Sequence, residues 1–271
     1  MVSLSNLISH RFRGFSPYEN TITGLNAALD FGVLNLEFDI RVAKCGTPMI
    51  YHDEYALDKS GTVHRLSEVA ANDYSDLAGV FAQMPRAESL FEAMGVHANK
   101  DARFLIDIKD AGFETEIHAL VMLNRLASRV IYVSWVPEAL YAMHDIAPEA
   151  DYCLSHWCQS PDAKTRKVHK VFKAKMGHIK RPRRKMVHGE RSGWFVDGPL
   201  RGELRDIVSS VCVPEGMASR ALVEDYHKDG IEVSTFSYTD WGHINRHKKR
   251  FNIDTYFIDN KRVFNEMKNP S

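Results

Sequence analysis

The sequence lacks net charge, has few cysteines and contains no long hydrophobic run. Its 271 residues carry 35 basic and 35 acidic side chains, so global attraction to nucleic acid or to an anionic membrane is not expected. The cysteines Cys45, Cys153, Cys158 and Cys212 are scattered without the paired spacing of a zinc site, which favours reduced thiols in a cytoplasmic protein. The sequence shows neither the pattern of a signal peptide nor an apolar run of transmembrane length. We therefore expect a cytoplasmic protein with no transmembrane segment and no nucleic-acid partner.

The sequence instead has a regular alternation of strand-like and helical segments. This alternation favours parallel strands joined by crossover helices. About eight repeats predict a single (β/α)8 TIM barrel over residues 1–271, with an open doubly wound sheet as the second choice. The predicted strands are Leu7–Arg11, Leu34–Ile40, Met49–His52, Phe104–Ile108, Val130–Trp135, Tyr152–His156, Ile207–Val213, Ile231–Tyr238 and Thr255–Ile258. The predicted helices are Thr21–Phe31, Ser89–Met94, Phe113–Ser128, Glu138–Ile146, Ser219–Asp229 and Trp241–Arg250.

Polar clusters stand at the ends of four strand-like runs within the first 110 residues. They are His10-Arg11, Glu37-Phe38-Asp39, His52-Asp53 and Asp107-Ile108-Lys109. Residues at i and i+2 point to the same face of a strand, so Glu37 joins Asp39, and Asp107 joins Lys109. Acids within an apolar strand are costly to bury and call for a cation. Reactive groups of a barrel gather at the C-terminal ends of its strands, where all four clusters are expected to fall.

These groups are the ones that a metal-assisted reaction at a phosphate ester requires. Each cluster alone also has a structural explanation. A lone histidine at a strand end, such as His10 or His52, is more often structural, and Glu37 with Asp39 could form a solvated edge. Complementary chemistry at four strand ends favours one common site.

One segment interrupts the alternation of strands and helices and carries a large excess of positive charge. Residues 164–191 contain twelve Lys or Arg and one acidic residue, Glu190, which leaves 35 − 12 = 23 basic and 35 − 1 = 34 acidic residues elsewhere. We interpret the surrounding residues 158–200 as a basic insertion after the fifth strand. The segment could cover an anionic substrate or make a peripheral contact with an anionic surface, and a solvated loop is an equally good interpretation.

Several motifs resemble those of the glycerophosphodiester phosphodiesterase family. They are Ser9-His10-Arg11, Pro17-Tyr18-Glu19-Asn20-Thr21, Leu36-Glu37-Phe38-Asp39, Thr47-Pro48-Met49-Ile50-Tyr51-His52-Asp53 and Leu105-Ile106-Asp107-Ile108-Lys109. Later stretches, such as Tyr256-Phe257-Ile258-Asp259-Asn260, fit more loosely. The resemblance implies a barrel enzyme that uses a divalent cation, Mg²⁺ or Ca²⁺, to cleave a small glycerophosphodiester or lysophospholipid-like substrate into glycerol 3-phosphate and an alcohol.

The resemblance also implies roles for individual residues. The implied acid-base pair is His10 and His52; the metal ligands are Glu37, Asp39 and Asp107; the phosphate contacts are Arg11 and Lys109; and the substrate pocket includes Phe236 and Trp241. Oxygen-only ligation suits a hard cation. Glu19 and Asn20 are expected to shape the first loop or, as the preferred interpretation, to cap the helix that begins at Thr21.

Three departures from the family pattern keep other functions open. Asp107 stands where hydrolytic members usually have Glu, Phe236 replaces a common Trp, and Phe12-Arg13-Gly14 replaces the glycine that usually follows His-Arg. An aspartate in the third acidic position also resembles spider-venom phospholipase D relatives, which release cyclic phosphates. The alternatives are therefore a phospholipase-D-like enzyme or a catalytically silent protein that binds phosphate esters; an adaptor based on the basic segment is a third.

Overall fold

A computed structural model describes residues 2–155, 157–158, 195–196 and 202–268 of the protein. The basic segment, residues 164–191, lies outside the described residues, so its predicted roles stay predictions. Within the described ranges, no helix is long and apolar enough to cross a membrane.

Eight parallel strands close into a barrel, which confirms the predicted (β/α)8 fold. The strands of the structure, in chain order, are β1 (Leu7–His10), β2 (Asn35–Val42), β3 (Pro48–Ile50), β4 (Tyr55–Leu57), β5 (Val63–Arg65), β6 (Arg103–Ile108), β7 (Val130–Ser134), β8 (Asp151–Ser155), β9 (Trp157–Cys158), β10 (Phe195–Val196), β11 (Ser210–Pro214), β12 (Glu232–Tyr238) and β13 (Thr255–Ile258). The barrel order is β1-β2-β6-β7-β8-β11-β12-β13, and β13 pairs with β1 to close it. Parallel pairing brings the C-terminal ends of all eight strands to one mouth.

Helices follow the barrel strands and cover their outer side. They are α1 (Ile22–Phe31), α2 (Ala87–Val96), α3 (Glu114–Leu123), α4 (Pro137–Ile146), α5 (Glu203–Ile207), α6 (Arg220–His227), α7 (Trp241–Phe251) and α8 (Lys261–Lys268). Local sequence sets several of their ends. The Thr21, Ser219 and Asp240 side chains accept a hydrogen bond from the first turns of α1, α6 and α7, and Gly32 ends α1 in the left-handed conformation.

Two apolar layers flank the barrel wall. The larger layer lies between strands and helices and includes Phe38, Phe104, Tyr132 and Tyr238. A smaller layer fills the barrel interior with one side chain from each of six strands: Ile8, Leu105, Val133, Cys153, Cys212 and Phe257. Because residues two apart share a face, this interior layer lies one pleat below the polar clusters of β1 and β6.

A satellite unit extends from the end of β2. Strand β3 pairs antiparallel with β2 outside the barrel, and β4 and β5 form a hairpin. Together with short 3₁₀ helices at Leu66–Glu68, Ala71–Asp76 and Gly79–Gln83, these strands enclose a small hydrophobic core of their own. That core consists of Ala43, Met49, Tyr51, Ala56, Leu66, Ala71, Tyr74 and Leu77.

The structure corrects two sequence predictions on strands and adds two helices. The run Met49–His52 was predicted like the other strands, but its strand is antiparallel and outside the barrel. Residues 207–209 are not strand: Ile207 ends α5, and β11 begins at Ser210. Helices α5 and α8 were not predicted: α5 has five residues and α8 has eight, which is short for a periodic pattern to stand out, although the apolar residues of α8 share one face.

Candidate active site

The polar clusters of β1, β2 and β6 meet at the barrel mouth. In the sheet register His10 lies beside Glu37, and Asp39 lies beside Asp107. The residues Glu37, Asp39 and Asp107 are at most 5% exposed, and the carboxylate of each offers an oxygen within 4.8 Å of the others. The structure thus brings together the three acids singled out in the sequence.

Two cations, Arg11 and Lys109, whose side chains are 12% and 8% exposed, neutralise much of this acidic charge. Lys109 Nζ lies 2.9 Å from Asp39 Oδ1 and also forms an ion pair with Asp107 Oδ2. Arg11 Nε lies 3.1 Å from Asp39 Oδ2, and its backbone N–H donates to the Glu37 carboxylate at 3.2 Å. Formal charges of the three acids and two cations sum to −1, which leaves room for further positive charge.

Burial and neighbouring charges separate the pKa values of the acids. Burial raises the pKa of Glu37 well above its usual range, and the charge of Asp39 adds to the rise. Burial also acts to raise the pKa of Asp39, but Arg11 and Lys109 outweigh it and hold that pKa well below its usual range. The pKa of Asp107 is raised by burial despite the opposing charge of Lys109. Glu37 and Asp107 therefore need additional positive charge to remain ionised.

The residues present fit a divalent cation. Three carboxylates on adjacent strands converge, and their donor set consists of oxygen, which hard cations prefer. Asp107 Oδ1 is buried and receives no hydrogen bond from any described residue. A buried acceptor of this kind is costly unless a donor or a cation satisfies it.

His10 is fixed at the mouth by a carboxylate from the last barrel strand. Its Nδ1 lies 2.6 Å from Oδ1 of Asp259, which directly follows β13, and its Nε2 lies 3.8 Å from Glu37 Oε2. Burial, helped by the charge of Arg11, lowers the pKa of His10 to about 4. A neutral imidazole with Nδ1 bound in this way directs Nε2 toward the acids.

His52 reaches the same mouth from the satellite unit. Its Nδ1 lies 2.7 Å from Asp53 Oδ1, and burial and the charge of Arg11 lower its pKa to about 3. Arg41, two residues beyond Asp39 on β2, donates from Nε to the His52 carbonyl at 3.1 Å and forms an ion pair with Asp110 at 2.7 Å. Both candidate histidines therefore have a carboxylate partner and share Arg11 as a charged neighbour.

The loop between β1 and α1 corrects one prediction. Thr21, rather than Glu19 or Asn20, caps α1. Glu19 instead forms ion pairs with Arg11 at 3.2 Å and with Arg13 at 2.5 Å. Asn20 donates from Nδ2 to Asp39 Oδ2 at 2.9 Å. Both side chains hold the mouth together, which explains why a polar Glu-Asn pair precedes the cap.

The predicted pocket residues Phe236 and Trp241 have different surroundings. The Phe236 ring, near the end of β12, packs edge-on against Trp135 at 5.7 Å and against Phe257 at 6.3 Å between centroids. Trp241 begins α7 and packs against the larger core on the helix side. Trp135, which directly follows β7, and Phe257 are thus aromatic neighbours of Phe236, and the assignment of Phe236 and Trp241 to a substrate pocket stays a prediction.

Sequence reasoning missed Arg13, Arg41 and Asp259 as members of the candidate site. Asp259 follows a predicted strand directly, which is the same signal that singled out His10 and Asp107. Arg13 Nη1 lies 2.9 Å from the Asp259 oxygen that contacts His10. Arg41 could have been noticed, because it stands two residues beyond Asp39 and shares that face of β2. The contact of Arg13 with Asp259 joins residues 246 apart and has no local signal.

Comparisons with known proteins agree on one family. The sequence profile of the Glycerophosphoryl diester phosphodiesterase family matches residues 8–263. A protein of Silicibacter pomeroyi assigned as a glycerophosphoryl diester phosphodiesterase superposes with a TM-score of 0.70 at 18% identity, covering 97% of this chain and 93% of that one. A glycerophosphodiester phosphodiesterase of Agrobacterium tumefaciens gives 0.62 at 21% identity, covering 97% and 99%.

An Oleispira antarctica phosphodiesterase, solved in complex with the product sn-glycerol-3-phosphate, gives a TM-score of 0.65 at 17% identity and covers 98% of this chain and 100% of that one. At these identities the solved structures support the fold alone. Among curated proteins, no significant match is found.

Proposed function

Because the chain belongs to the glycerophosphoryl diester phosphodiesterase family and is therefore a phosphoric diester hydrolase, we propose that it cleaves glycerophosphodiesters into glycerol 3-phosphate and an alcohol. In this proposal His10 and His52 form the acid-base pair, and Glu37, Asp39 and Asp107 hold a divalent cation. Arg11 and Lys109 contact the phosphate, and the whole chain forms one domain with a basic insertion at 158–200.

The observation that carries the proposal is the pairing of each histidine with a carboxylate at Nδ1. Asp259 orients His10 at 2.6 Å and Asp53 orients His52 at 2.7 Å. A carboxylate at Nδ1 fixes the tautomer and makes Nε2 the atom that exchanges a proton. Two such imidazoles beside an acidic cluster are the arrangement that general acid-base catalysis needs.

Proton transfer through the two histidines accounts for the reaction. One imidazole, in its neutral form, takes a proton from the attacking hydroxyl as a new P–O bond forms. The other imidazole has to be protonated at Nε2, a state favoured by its carboxylate partner and by the negative charge of the bound phosphodiester, and it gives that proton to the leaving alcohol as the old P–O bond breaks. If water attacks, the product is glycerol 3-phosphate; if the substrate's own glycerol hydroxyl attacks, the product is a cyclic phosphate. The products, rather than the loss of substrate, therefore distinguish the two reactions.

The charge balance of the mouth suits a phosphodiester. Glu37, Asp39 and Asp107 would hold Mg²⁺ or Ca²⁺, which when bound polarises a phosphoryl oxygen. The acids, Arg11 and Lys109 carry a net formal charge of −1, so a divalent cation brings the sum to +1 and a phosphodiester anion brings it to zero. Arg11 can present its planar guanidinium to two phosphate oxygens, whereas Lys109 supplies a compact charge.

The experiment that tests this function is a product assay. Purified protein, stripped with a chelator, is given glycerophosphocholine, glycerophosphoethanolamine, glycerophosphoglycerol or a lysophospholipid, with Mg²⁺, with Ca²⁺ or with neither. We expect metal-dependent release of glycerol 3-phosphate, abolished by Asp39→Asn. Release of a cyclic phosphate would show that the reaction is cyclisation and not hydrolysis. Full turnover without a divalent cation would overturn the metal assignment.

For the basic segment we propose contact with anionic substrates or surfaces, on sequence alone. Changing Arg181, Arg183 and Arg184 to Glu is expected to raise KM for an anionic diester more than for zwitterionic glycerophosphocholine. The difference should shrink with salt, because screening limits exposed charges to about 8 Å at physiological ionic strength. Equal effects on both substrates would favour a solvated loop.

A further inference from the structure

A second group of side chains with metal-ligating atoms lies on the helix side of β12 and shares no residue with the acidic cluster of the mouth. Glu215 belongs to the 3₁₀ helix Glu215–Met217 that follows β11, and His243 and His247 are four residues apart on α7. Residues at i and i+4 share one face of a helix. Each of the three side chains offers a ligand atom within 4.8 Å of the others, and all three are partly accessible to solvent.

The spacing of these atoms matches a tetrahedral metal centre. Nitrogen ligands about 2.0–2.1 Å from zinc at the tetrahedral angle lie roughly 3.3 Å apart. His243 Nε2 lies 3.1 Å from His247 Nε2 and 3.5 Å from Glu215 Oε2. Two edges of the group therefore lie within about 0.2 Å of those of a zinc tetrahedron.

Hydrogen bonding directs His247 as a ligand. Its Nδ1 lies 2.8 Å from the hydroxyl of Tyr238, which lies 2.6 Å from Thr235 Oγ1. Metal-bound histidines commonly use the second ring nitrogen for a contact of this kind, which fixes the tautomer and the ring orientation. The buried Tyr238 ring also packs edge-on against His243, with 5.1 Å between centroids.

We propose that Glu215, His243 and His247 form a second metal site, which takes a borderline-soft divalent transition metal such as Zn²⁺ and leaves a fourth position for water. Two imidazoles and one carboxylate suit zinc, whereas the oxygen-only set at the mouth suits Mg²⁺ or Ca²⁺. Arg246 and Arg250 act electrostatically on His247 and oppose a dication. The site therefore favours metals with strong affinity for imidazole over hard cations.

A metal at this position would tie α7 to the segment that follows β11. These two elements belong to consecutive repeats of the barrel. Residues 239–240 join β12 to α7. We therefore expect the metal to stabilise this part of the barrel without taking part in phosphodiester cleavage. The proposal does not depend on the function assigned to the mouth.

Zinc titration of the full-length, chelator-stripped protein tests the site. Isothermal titration calorimetry with Zn²⁺, in excess Mg²⁺ to occupy the mouth, is expected to show one tight equivalent that disappears in His243→Ala and weakens in Glu215→Gln. Tyr238→Phe should retain the equivalent with about 10–100-fold lower affinity, the usual range for removal of a hydrogen-bonding partner of a ligand. Zinc should raise the Tm of the unchanged protein and leave that of His243→Ala where it was.

His64→Ala is the matched control, because His64 lies on the β4–β5 hairpin and pairs with Asp58 at 2.8 Å. It should bind zinc like the unchanged protein, and every variant should keep its circular dichroism spectrum and its Mg²⁺-dependent activity. The proposal is overturned if the unchanged protein takes up no zinc under excess Mg²⁺, or if His243→Ala binds as many equivalents with the same affinity. In either case the 3.1 Å contact between the imidazoles is a hydrogen bond only.

Discussion

The barrel interior contains two layers that share the inward face of the strands and differ in chemistry. The lower layer is apolar and includes Ile8 and Leu105. One pleat higher, on the same strands, stand His10 and Asp107. Two residues of strand span roughly 6.6 Å, so the change from hydrocarbon to charge is abrupt.

The difference between the layers indicates that the residues that stabilise the barrel and the residues proposed to react occupy different heights along the same strands. Each large apolar side chain of the lower layer contributes about 1.5–3 kcal/mol by burial and needs no specific partner. The charged layer costs free energy to bury. Asp39 stays ionised through Arg11 and Lys109, the latter at 2.9 Å, whereas Glu37 and Asp107 need further positive charge. Substitutions in the two layers should therefore have different consequences.

The largest expected effect is on turnover in the charged layer. His10→Ala should lower kcat about 10²- to 10⁴-fold, because a positioned acid or base contributes that much. Steady-state kinetics on glycerophosphocholine measure it, and a urea melt reports the fold. His97→Ala, a histidine bonded to Asp30 away from the mouth, is the control and should keep its activity. Near-normal turnover in His10→Ala would contradict the role of this layer.

Next in size is the loss of a buried counter-charge. Lys109→Met leaves Asp39 and Asp107 without their shared cation and should lower the free energy of unfolding by about 3–5 kcal/mol. Urea denaturation in metal-free buffer measures it. The exposed Lys59→Met should change stability by less than about 0.5 kcal/mol. Equal stability of the two variants would mean that the buried ion pairs contribute nothing.

A cavity in the lower layer should affect stability alone. Leu105→Ala is expected to lower the free energy of unfolding by about 2–5 kcal/mol, through lost burial and the void that remains. Its kcat at a temperature where it stays folded should lie within a few-fold of the unchanged protein. A loss of turnover as large as that of His10→Ala would remove the distinction between the layers.

The effect that is smallest per unit of pH is on the acid dependence of stability. Burial is the main reason why the pKa of His10 is about 4 in the folded protein, below the value of 6.5 in the unfolded chain. The imidazole therefore takes up a proton more readily in the unfolded state. The contribution of His10 to the free energy of unfolding is complete above about pH 6.5 and is lost as the pH falls toward 4. The free energy of unfolding changes by at most about 1.4 kcal/mol per pH unit in this range. Urea melts over this range should show a shallower acid slope in His10→Gln.

Leu105→Ala should keep the slope of the unchanged protein, because its layer does not titrate in this range. Burial raises the pKa of Cys153, a member of the same layer, to about 12, so its thiol stays neutral. An unchanged slope in His10→Gln would show that other groups govern the acid response.

Much of the fold and of the site could be predicted from periodicity and strand ends. Glu37, Asp39 and Asp107 were recognisable because acids inside an apolar strand have few structural explanations. The barrel could be predicted because strands and helices alternate along the chain, and such alternation favours parallel strands joined by crossover helices. The orientation of β3 could not be predicted, since a run such as Met49–His52 has the same pattern in either direction.

The missed contacts have two physical causes. Asp259 meets His10 across 249 residues of sequence, and only closure of the barrel brings them together. Glu19 was expected to cap a helix because local hydrogen bonding is the usual use of a polar residue before a helix. Ion pairing with Arg11 and Arg13 of the same loop outweighed that preference.

The satellite unit gives the two candidate histidines different mechanical supports. His10 belongs to a strand paired on both sides within the barrel, whereas His52 follows β3, which is joined to β2 and backed by a separate small core. Small units with few apolar contacts open at lower free energy than the global unfolding of a domain. Such an opening would withdraw His52 while the barrel, the acids and His10 stayed in place. The complete site therefore exists only while the satellite unit is closed. Amide hydrogen exchange around Tyr51 and Tyr74 would measure how often that unit opens.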